Sequence, residues 1–85
     1  FYVLQSHKDQ ELYFGYTSDL KRRQTEHAKG YVDATAARRP FRLVYYEAYY
    51  VEKDAREREQ QIKRRAKAHI SLKRRLSHSL SASFE

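Results

Sequence analysis

The 85-residue sequence contains no cysteine, methionine or tryptophan, and only two glycines and one proline. Without cysteine, neither a disulfide framework nor a thiolate zinc site is available. No segment approaches the roughly 18 consecutive apolar residues of a membrane span, and none has the pattern of a secretory signal. We therefore expect one cytoplasmic domain without membrane association. Because the chain begins inside a predicted strand, it stays open whether the natural N-terminus lies upstream of Phe1.

Acidic residues are also scarce. The chain has 18 Lys and Arg but 11 Asp and Glu, for a net charge of +7, and no acid occurs from Gln60 to Phe84. The basic residues of that stretch are Lys63, Arg64, Arg65, Lys67, Lys73, Arg74 and Arg75. A basic surface favours polyanions, nucleic acid first. A charge run is also typical of a solvated helix face, so both interpretations stay open.

Apolar patterning predicts the first elements. The runs 1–4 and 12–16 are rich in apolar and aromatic residues and are separated by a polar segment, which predicts a β-hairpin. Residues 17–19 are suited to cap a helix that runs to Lys29, and Gly30 is placed to stop it. Residues 31–39 predict a loop.

The second half of the chain predicts one strand and two helices. Residues 41–50 are apolar on both faces, which favours the central strand of the sheet. We expect its tyrosines to pack in the core; they are Tyr45, Tyr46, Tyr49 and Tyr50. A helix is predicted for residues 53–67, with an apolar stripe at Ala55, Glu59, Ile62 and Ala66. A last short helix is predicted from Ile70, Leu72, Leu76 and Leu80. The domain is expected over residues 1–80, with a flexible tail at 81–85.

Polar residues interrupt both predicted helix faces. Arg23 and His27 share a face with Leu20, and Glu59 lies within an apolar stripe, where a carboxylate is costly unless paired or bound to a cation. A snorkelling arginine and a satisfied core histidine would explain the first pair. An ion pair between Glu59 and Arg23 would explain the carboxylate. Glu47, after the third strand's tyrosine pair, is a competing functional carboxylate.

The alternative interpretation is that these polar residues form a catalytic site. Cleavage of a phosphodiester needs a group that activates water, a positive charge for the phosphate and a metal ligand. Two phenols, a cation, an imidazole and a carboxylate can supply these functions. The sequence offers these groups at Tyr2, Tyr13, Arg23, His27 and Glu59, in that order. Their ordered occurrence is typical of a small nuclease.

In this order, the residues resemble the GIY-YIG nuclease family, which is named for two short motifs. Tyr2 is similar to the tyrosine that closes the first motif, and Tyr13-Phe14-Gly15 resembles the second, with Phe in place of Ile. Arg23 and His27 match the arginine and histidine of the family's first helix. The run Ala55-Arg56-Glu57-Arg58-Glu59 resembles the small standalone bacterial branch, whose second glutamate in this run binds metal.

The resemblance covers about residues 1–67. It implies an α/β fold: a small three-stranded antiparallel sheet flanked by helices, in the order strand-strand-helix-strand-helix-helix. It also implies an endonuclease that hydrolyses DNA phosphodiester bonds with one divalent metal ion, Mg²⁺ or Mn²⁺, in DNA repair or processing. Duplex or branched DNA is the expected partner, with a partner protein for targeting where the chain lacks specificity of its own.

The resemblance assigns a role to each site residue. Tyr2 would orient or deprotonate water, with Arg23 or His27 lowering its pKa or taking its proton onward. Arg23 would hold the scissile phosphate, Tyr13 would position phosphate or water, and Glu59 would bind the metal ion. The basic residues expected to contact DNA are Arg22, Lys29, Arg38, Arg39, Lys63, Arg64, Arg65 and Lys67.

Two features depart from the family pattern. Tyr16 stands where several family nucleases have lysine, and no convincing match exists for the asparagine that some members carry after the glutamate. The alternative function is therefore a degenerate nuclease fold that binds DNA through its basic face without cutting it. A third class is a protein-interaction domain with an incidental basic surface.

Overall fold

A computed structural model describes residues 1–83. Its elements are β1 (Tyr2–Ser6), β2 (Leu12–Gly15), α1 (Leu20–Ala28), α2 (Asp33–Ala36), β3 (Phe41–Tyr46), α3 (Glu52–Arg64), α4 (Ala66–Arg75) and α5 (Ser77–Ser81). The strands form a three-stranded antiparallel sheet in the order β2-β1-β3. The predicted α/β fold class is confirmed.

The central strand is β1, so the prediction that residues 41–50 form the central strand was wrong. Tyr2 pairs with Gly15 on one side and with Tyr46 on the other, and all five residues of β1 are buried. The third strand already ends at Tyr46. Its residues are apolar or aromatic on both faces although β3 is an edge strand, because tyrosine rings can pack at a sheet edge while their hydroxyls reach water.

Three of the four tyrosines expected in the core are exposed. Tyr46, Tyr49 and Tyr50 are 60%, 40% and 105% exposed. Only Tyr45 packs against the hydrophobic core. The prediction failed because Tyr49 and Tyr50 follow the end of β3, where no neighbouring strand aligns them with the core.

Helices cover the two faces of the sheet. Since strand residues alternate between faces, Val3 points to one side, where it forms the core with Phe1, Ile62, Leu72 and Leu76. The opposite side carries Tyr2, whose hydroxyl contacts His27 of α1. The sheet therefore separates an apolar core from a polar buried cluster.

The first helix follows the sequence prediction closely. Asp19 caps α1 by accepting a hydrogen bond from the backbone N–H of Arg22 at 3.0 Å. The helix ends at Ala28, and Gly30 follows with a φ of 79°, a conformation that favours glycine. The predicted loop at 31–39 contains one helical turn, α2, that the sequence did not reveal.

The predicted helix over 53–67 ends earlier, at Arg64, and the predicted last helix begins at Ala66 and is followed by the short helix α5. Arg65 adopts an extended conformation between α3 and α4, with φ −113° and ψ 111°. This bend lets Leu72 return to the core beside Ile62. Ala66 and Ile70 are exposed, so both were wrongly assigned to apolar helix faces.

The C-terminal segment lies against β1 and β3. Gln5 donates to the Leu80 carbonyl at 3.2 Å, and Arg42 donates to the carbonyls of Ala82 and Ser83 at 2.8 and 3.3 Å. The predicted tail begins at Ser81, the last residue of α5, and its last two residues, 84 and 85, lie outside the described residues. Among the helices of residues 1–83, none has the length and apolarity to cross a membrane.

Candidate active site

An open cavity of about 400 Å³ collects most of the predicted catalytic residues. Tyr2 from β1, Tyr13 from β2, Arg23 from α1 and Glu59 from α3 all border it. The complete lining is Tyr2, Tyr13, Gly15, Tyr16, Thr17, Ser18, Arg22, Arg23, Glu26, Glu52 and Glu59. Residues far apart in sequence thus meet at one surface.

The strand register sets the positions of the two phenols. Tyr13 pairs with Leu4, two residues along β1 from Tyr2, so both tyrosines lie on the same face of the sheet. Their ring centroids are 6.4 Å apart. Gly15 lies directly opposite Tyr2, and a Cβ atom there would come within 2.5 Å of the Tyr2 hydroxyl oxygen. The glycine of the motif therefore provides space for the Tyr2 phenol.

His27 lies behind Tyr2 rather than in the cavity. The imidazole is 2% exposed, and its Nε2 is 2.9 Å from the Tyr2 hydroxyl. On its other side, Nδ1 is 2.7 Å from the hydroxyl of Thr35, a fully buried residue of α2. His27 can therefore act on a substrate only through Tyr2.

Burial controls the protonation of this pair. Burial raises the pKa of Tyr2 above its usual value, and this outweighs the opposing effect of a hydrogen bond with Arg23. The expectation that a neighbouring cation would lower the Tyr2 pKa does not describe the net shift. Burial, with a smaller contribution from the Arg23 cation, lowers the pKa of His27. At neutral pH, His27 is thus a neutral base next to a protonated phenol.

Arg23 is positioned by two neighbours. Its guanidinium lies 3.1 Å from the Glu26 carboxylate, one helical turn away. The hydrogen bond with Tyr2, and a smaller contribution from Glu26, raise the Arg23 pKa despite burial. Arg23 is therefore a permanent cation at the wall of the cavity, beside the hydroxyl of Tyr2.

Glu59 does not pair with Arg23, the ion pair considered from the sequence. Its side chain is 15% exposed and lies 3.2 Å from the Lys63 ammonium group, one turn along α3. Within residues 1–83, no cluster of three or more histidine or acidic residues suits a metal ion. One carboxylate facing an open cavity fits Mg²⁺ or Mn²⁺ if water and substrate oxygens complete the coordination shell.

The competing carboxylate, Glu47, has structural partners. Arg58 donates to both of its carboxylate oxygens, at 3.0 Å from Nε and 3.1 Å from Nη2, and Tyr45 and Tyr49 donate to it as well. Burial alone would raise the Glu47 pKa, but these hydrogen bonds lower it. Burial and the Glu47 hydrogen bond raise the pKa of Tyr49 to about 12. Glu47 joins the end of β3 to α3.

The comparison with known families agrees with this arrangement. The sequence profile described as "GIY-YIG catalytic domain" matches residues 1–77. The chain belongs to the GIY-YIG nuclease family. Tyr2 lies on β1 and Tyr13–Gly15 on β2, and the cavity borders both strands.

Several curated relatives support this membership. A "UPF0213 protein" of Pediococcus pentosaceus is 42% identical over 80% of this chain and 72% of its own length. Proteins of the same name from Bacillus pumilus and Haloquadratum walsbyi are each 41% identical, over 74% and 65% of this chain and 64% and 63% of their own lengths. No solved structure gives a significant match.

The basic residues expected to contact DNA fall into three groups within this GIY-YIG domain. Arg22 borders the cavity, and Lys29 is exposed at the end of α1. Arg38 pairs with Asp9 at 3.0 Å, and Arg39 donates to the Ala36 carbonyl at 2.8 Å. The third group surrounds the α3–α4 bend and comprises Lys63, Arg64, Arg65 and Lys67.

Thr35 is the site residue that the sequence did not reveal. A single threonine in a segment predicted as a loop carries no signal of its own. The only available sign was indirect, because a buried histidine needs a partner on each ring nitrogen. The acidic residues Glu26 and Glu52 at the cavity wall were also missed.

Proposed function

We propose that this chain is an endonuclease that hydrolyses DNA phosphodiester bonds with one divalent metal ion, Mg²⁺ or Mn²⁺. The observation that carries the proposal is the convergence of Tyr2, Tyr13, Arg23 and Glu59 on one open cavity, with the neutral base His27 directly behind Tyr2. Family membership supports DNA as the substrate and DNA repair or processing as the setting.

Tyr2 and His27 would activate the attacking water. The phenol of Tyr2 passes its proton to Nε2 of His27, 2.9 Å away, as its oxygen accepts a proton from water. The water oxygen then bonds to phosphorus, and the bond from phosphorus to one sugar oxygen breaks. The departing oxygen takes a proton from solvent in the open cavity, and His27 returns its proton to the Tyr2 phenol, which releases one to solvent. Because His27 is buried, it would exchange protons with the Tyr2 phenol and not with the substrate directly.

Arg23 and Tyr13 would bind the reacting phosphate. The phosphoryl group gains negative charge at its oxygens as water attacks, and a fixed guanidinium stabilises that charge most strongly where water is partly excluded. Arg23 borders the cavity beside Tyr2, where this charge would develop. The hydroxyl of Tyr13, on the neighbouring strand, can orient the phosphate or the water.

Glu59 would hold the metal ion. A bound divalent ion polarises a phosphate oxygen and lowers the pKa of coordinated water. The Glu59 carboxylate is available for this task because its present partner, Lys63, is a flexible side chain that is 47% exposed. Glu47 is a weaker candidate, since Arg58 and two tyrosine hydroxyls already occupy its oxygens.

The runner-up function is DNA binding without cleavage. Tyr16 borders the cavity at the position where several family nucleases have lysine, so one cation that could assist the phosphate is missing. Under this alternative, duplex DNA binds in a salt-dependent manner but stays intact with either metal ion. A protein-interaction domain would show neither activity.

Replacement of Glu59 by glutamine tests the proposed function. The amide keeps the side-chain volume but removes the charge that binds the ion, so Mg²⁺-dependent cleavage should fall by at least about 100-fold, as for other groups acting on the transition state. Cleavage would be measured on duplex, nicked, branched and single-stranded DNA. Glu57→Gln, an exposed carboxylate on the same helix, is the matched control.

Glu47→Gln distinguishes the two carboxylates. Loss of its charged hydrogen bonds should lower stability without removing metal-dependent cleavage at a temperature where the variant is folded. Cleavage by Glu59→Gln at the wild-type rate would contradict the assignment. Absence of cleavage by the wild-type protein, with DNA binding retained, would establish the runner-up function.

A further inference from the structure

We propose that Thr35 is a positioning residue that keeps the His27 proton on Nδ1, so that Nε2 presents a lone pair to Tyr2. The proposal deepens the function above and rests on it for its catalytic consequence. Its geometric part concerns three buried groups: the Tyr2 phenol, the His27 imidazole and the Thr35 hydroxyl, joined by contacts of 2.9 and 2.7 Å.

The hydrogen bonds around Thr35 determine which group donates and which accepts between Thr35, His27 and Tyr2. The Thr35 hydroxyl lies 3.3 Å from the Val32 carbonyl, which can only accept. When the hydroxyl donates there, its oxygen accepts from Nδ1–H of His27. Nε2 is then unprotonated and accepts the phenolic hydrogen of Tyr2. In this arrangement, the hydrogens on Thr35, His27 and Tyr2 each have an acceptor.

The reverse direction forms one hydrogen bond fewer within the protein. If Thr35 donated to Nδ1, Nε2–H would donate to the Tyr2 oxygen. The phenolic hydrogen of Tyr2 would then have no acceptor within residues 1–83 and would have to reach water in the cavity that Tyr2 borders. The Val32 carbonyl would also lose the Thr35 hydroxyl as a donor, so the first direction is favoured.

The fold holds Thr35 in place independently of His27. Its backbone N–H donates to the Val32 carbonyl at 3.1 Å and thereby closes the single turn of α2. Arg39 donates to the Ala36 carbonyl at 2.8 Å and ties the end of this turn to the following segment. The hydroxyl is thus presented to His27 by a fixed backbone.

The groups around His27 come from every element packed against it. Tyr2 and Tyr13 face the ring from β1 and β2, with centroids at 5.8 and 5.1 Å, and Phe41 faces it from β3. Arg23 and Glu26 are the charged neighbours on its own helix. Among the contacts to Nδ1 in residues 1–83, Thr35 provides the hydrogen-bond partner.

The test is a measurement of the His27 tautomer by ¹⁵N NMR at pH 7.5 in the metal-free protein, with the signal assigned from its loss in His27→Gln. The wild-type protein should show a protonated Nδ1 and an unprotonated Nε2. Thr35→Val has nearly the same shape but no hydroxyl, so the Nε2–H form should become populated. Thr35→Ser, which restores the hydroxyl, should restore the wild-type signal.

Cleavage rates extend the test to function. Thr35→Val should cut DNA at least about tenfold more slowly than the wild type, within the range of a general acid–base contribution. Thr35→Ser should recover most of that rate. The control is Thr25→Val, an exposed threonine of α1 whose hydroxyl donates to the Lys21 carbonyl, and it should stay within about twofold of wild type.

The possible failures are distinguishable. A wild-type His27 protonated on Nε2, or a Thr35→Val protein with an unchanged tautomer and rate, overturns the proposal. If Thr35→Val does not fold, the wild-type and Thr35→Ser spectra still decide the matter. If the wild-type protein cuts no DNA but shows the Nδ1–H form that depends on Thr35, the proposed nuclease function fails while the positioning role stands.

Discussion

At the scale of single residues, the protonation of Tyr2 limits how water can be activated. A phenol with a pKa near 10 is ionised to only about 0.3% at pH 7.5, and burial raises the Tyr2 pKa further. A standing phenolate is therefore a minor species. Tyr2 is better suited to pass protons between water and His27, whose pKa is lowered by burial and by Arg23.

The lowered pKa of His27 predicts a pH dependence of stability. The unfolded chain takes up a histidine proton near pH 6.5, whereas folded His27 takes it up only at lower pH. Below pH 6.5 the unfolded state therefore binds more protons, so the free energy of unfolding decreases as pH falls. One group contributes at most about 1.4 kcal/mol per pH unit.

Urea unfolding of wild type and His27→Gln at pH 7.5, 6.5 and 5.5 would measure this effect. The difference in unfolding free energy between the two proteins should shrink below pH 6.5. Glu47 also has a lowered pKa, but its stabilisation is present above the unfolded value of 4.5 and is lost in more acidic solution. A difference that stays constant across this range would contradict a lowered His27 pKa.

At the scale of the secondary-structure elements, the β1–β2 pair determines the position of the Tyr2 phenol. Gly15 is required by the packing of Tyr2 rather than by a positive φ, because a Cβ there would lie 2.5 Å from the phenol oxygen and 2.6 Å from Cζ. Side chains this close must move. Gly15 of β2 therefore determines the position of the Tyr2 phenol on β1.

Gly15→Ala should displace Tyr2 and lower stability by about 1–3 kcal/mol, the usual cost of an added group in a packed region. Cleavage should fall as well, since the phenol would leave His27. A double-mutant cycle with Tyr2→Ala isolates the contact: because that change removes the ring and its hydroxyl, Gly15→Ala should cost less in the Tyr2→Ala background. Equal costs in both backgrounds, measured by urea unfolding, would show that the contact is unimportant.

The corner between β3 and α3 fixes the metal-binding candidate relative to the sheet. Glu47 follows β3 and is bound by Arg58 of α3, the residue next to Glu59. Arg58 also lies over the Phe1 ring at 5.8 Å. This partly buried ion pair thus connects the sheet to the helix segment that brings Glu59 to the cavity.

At the scale of the whole molecule, positive charge is concentrated away from the apolar core. The acid-free stretch after Gln60 covers the end of α3 and all of α4 and α5 within the described residues. Arg64, Arg65 and Lys67 are exposed there. Charges of this kind attract the DNA backbone and act mainly through counterion release.

Neutralising Arg64, Arg65 and Lys67 together to glutamine should weaken DNA binding and its salt dependence. The slope of log affinity against log salt should fall by about 0.9 for each duplex phosphate that the variant no longer neutralises. Binding would be measured without metal, over a salt series. Lys63 is kept because it pairs with Glu59.

The control with the same charge change replaces three other exposed residues, Lys8, Lys53 and Arg56. Equal slopes of log affinity against log salt in the two variants would show that the acid-free stretch is only a solvated helix face. Arg22, Arg38 and Arg39 would then be favoured as the DNA contacts.

Local patterns predicted much of this fold and site. Asp19 and Gly30 marked the ends of α1 because capping depends on a few adjacent residues. The order and spacing of Tyr2, Tyr13, Arg23 and Glu59 indicated a common site, and all four border one cavity. Their catalytic roles stay predictions.

What the sequence alone determined about this protein is the type and order of its main elements, its basic surface and the residues offered to the cavity, since each depends on nearby side chains. Tertiary structure decided that β1 is central, that the break between the last helices lies at Arg65, and that Glu59 pairs with Lys63 rather than Arg23. It also placed Thr35 against His27. These features depend on which distant surfaces pack together, and neither hydrophobic periodicity nor capping signals encode that choice.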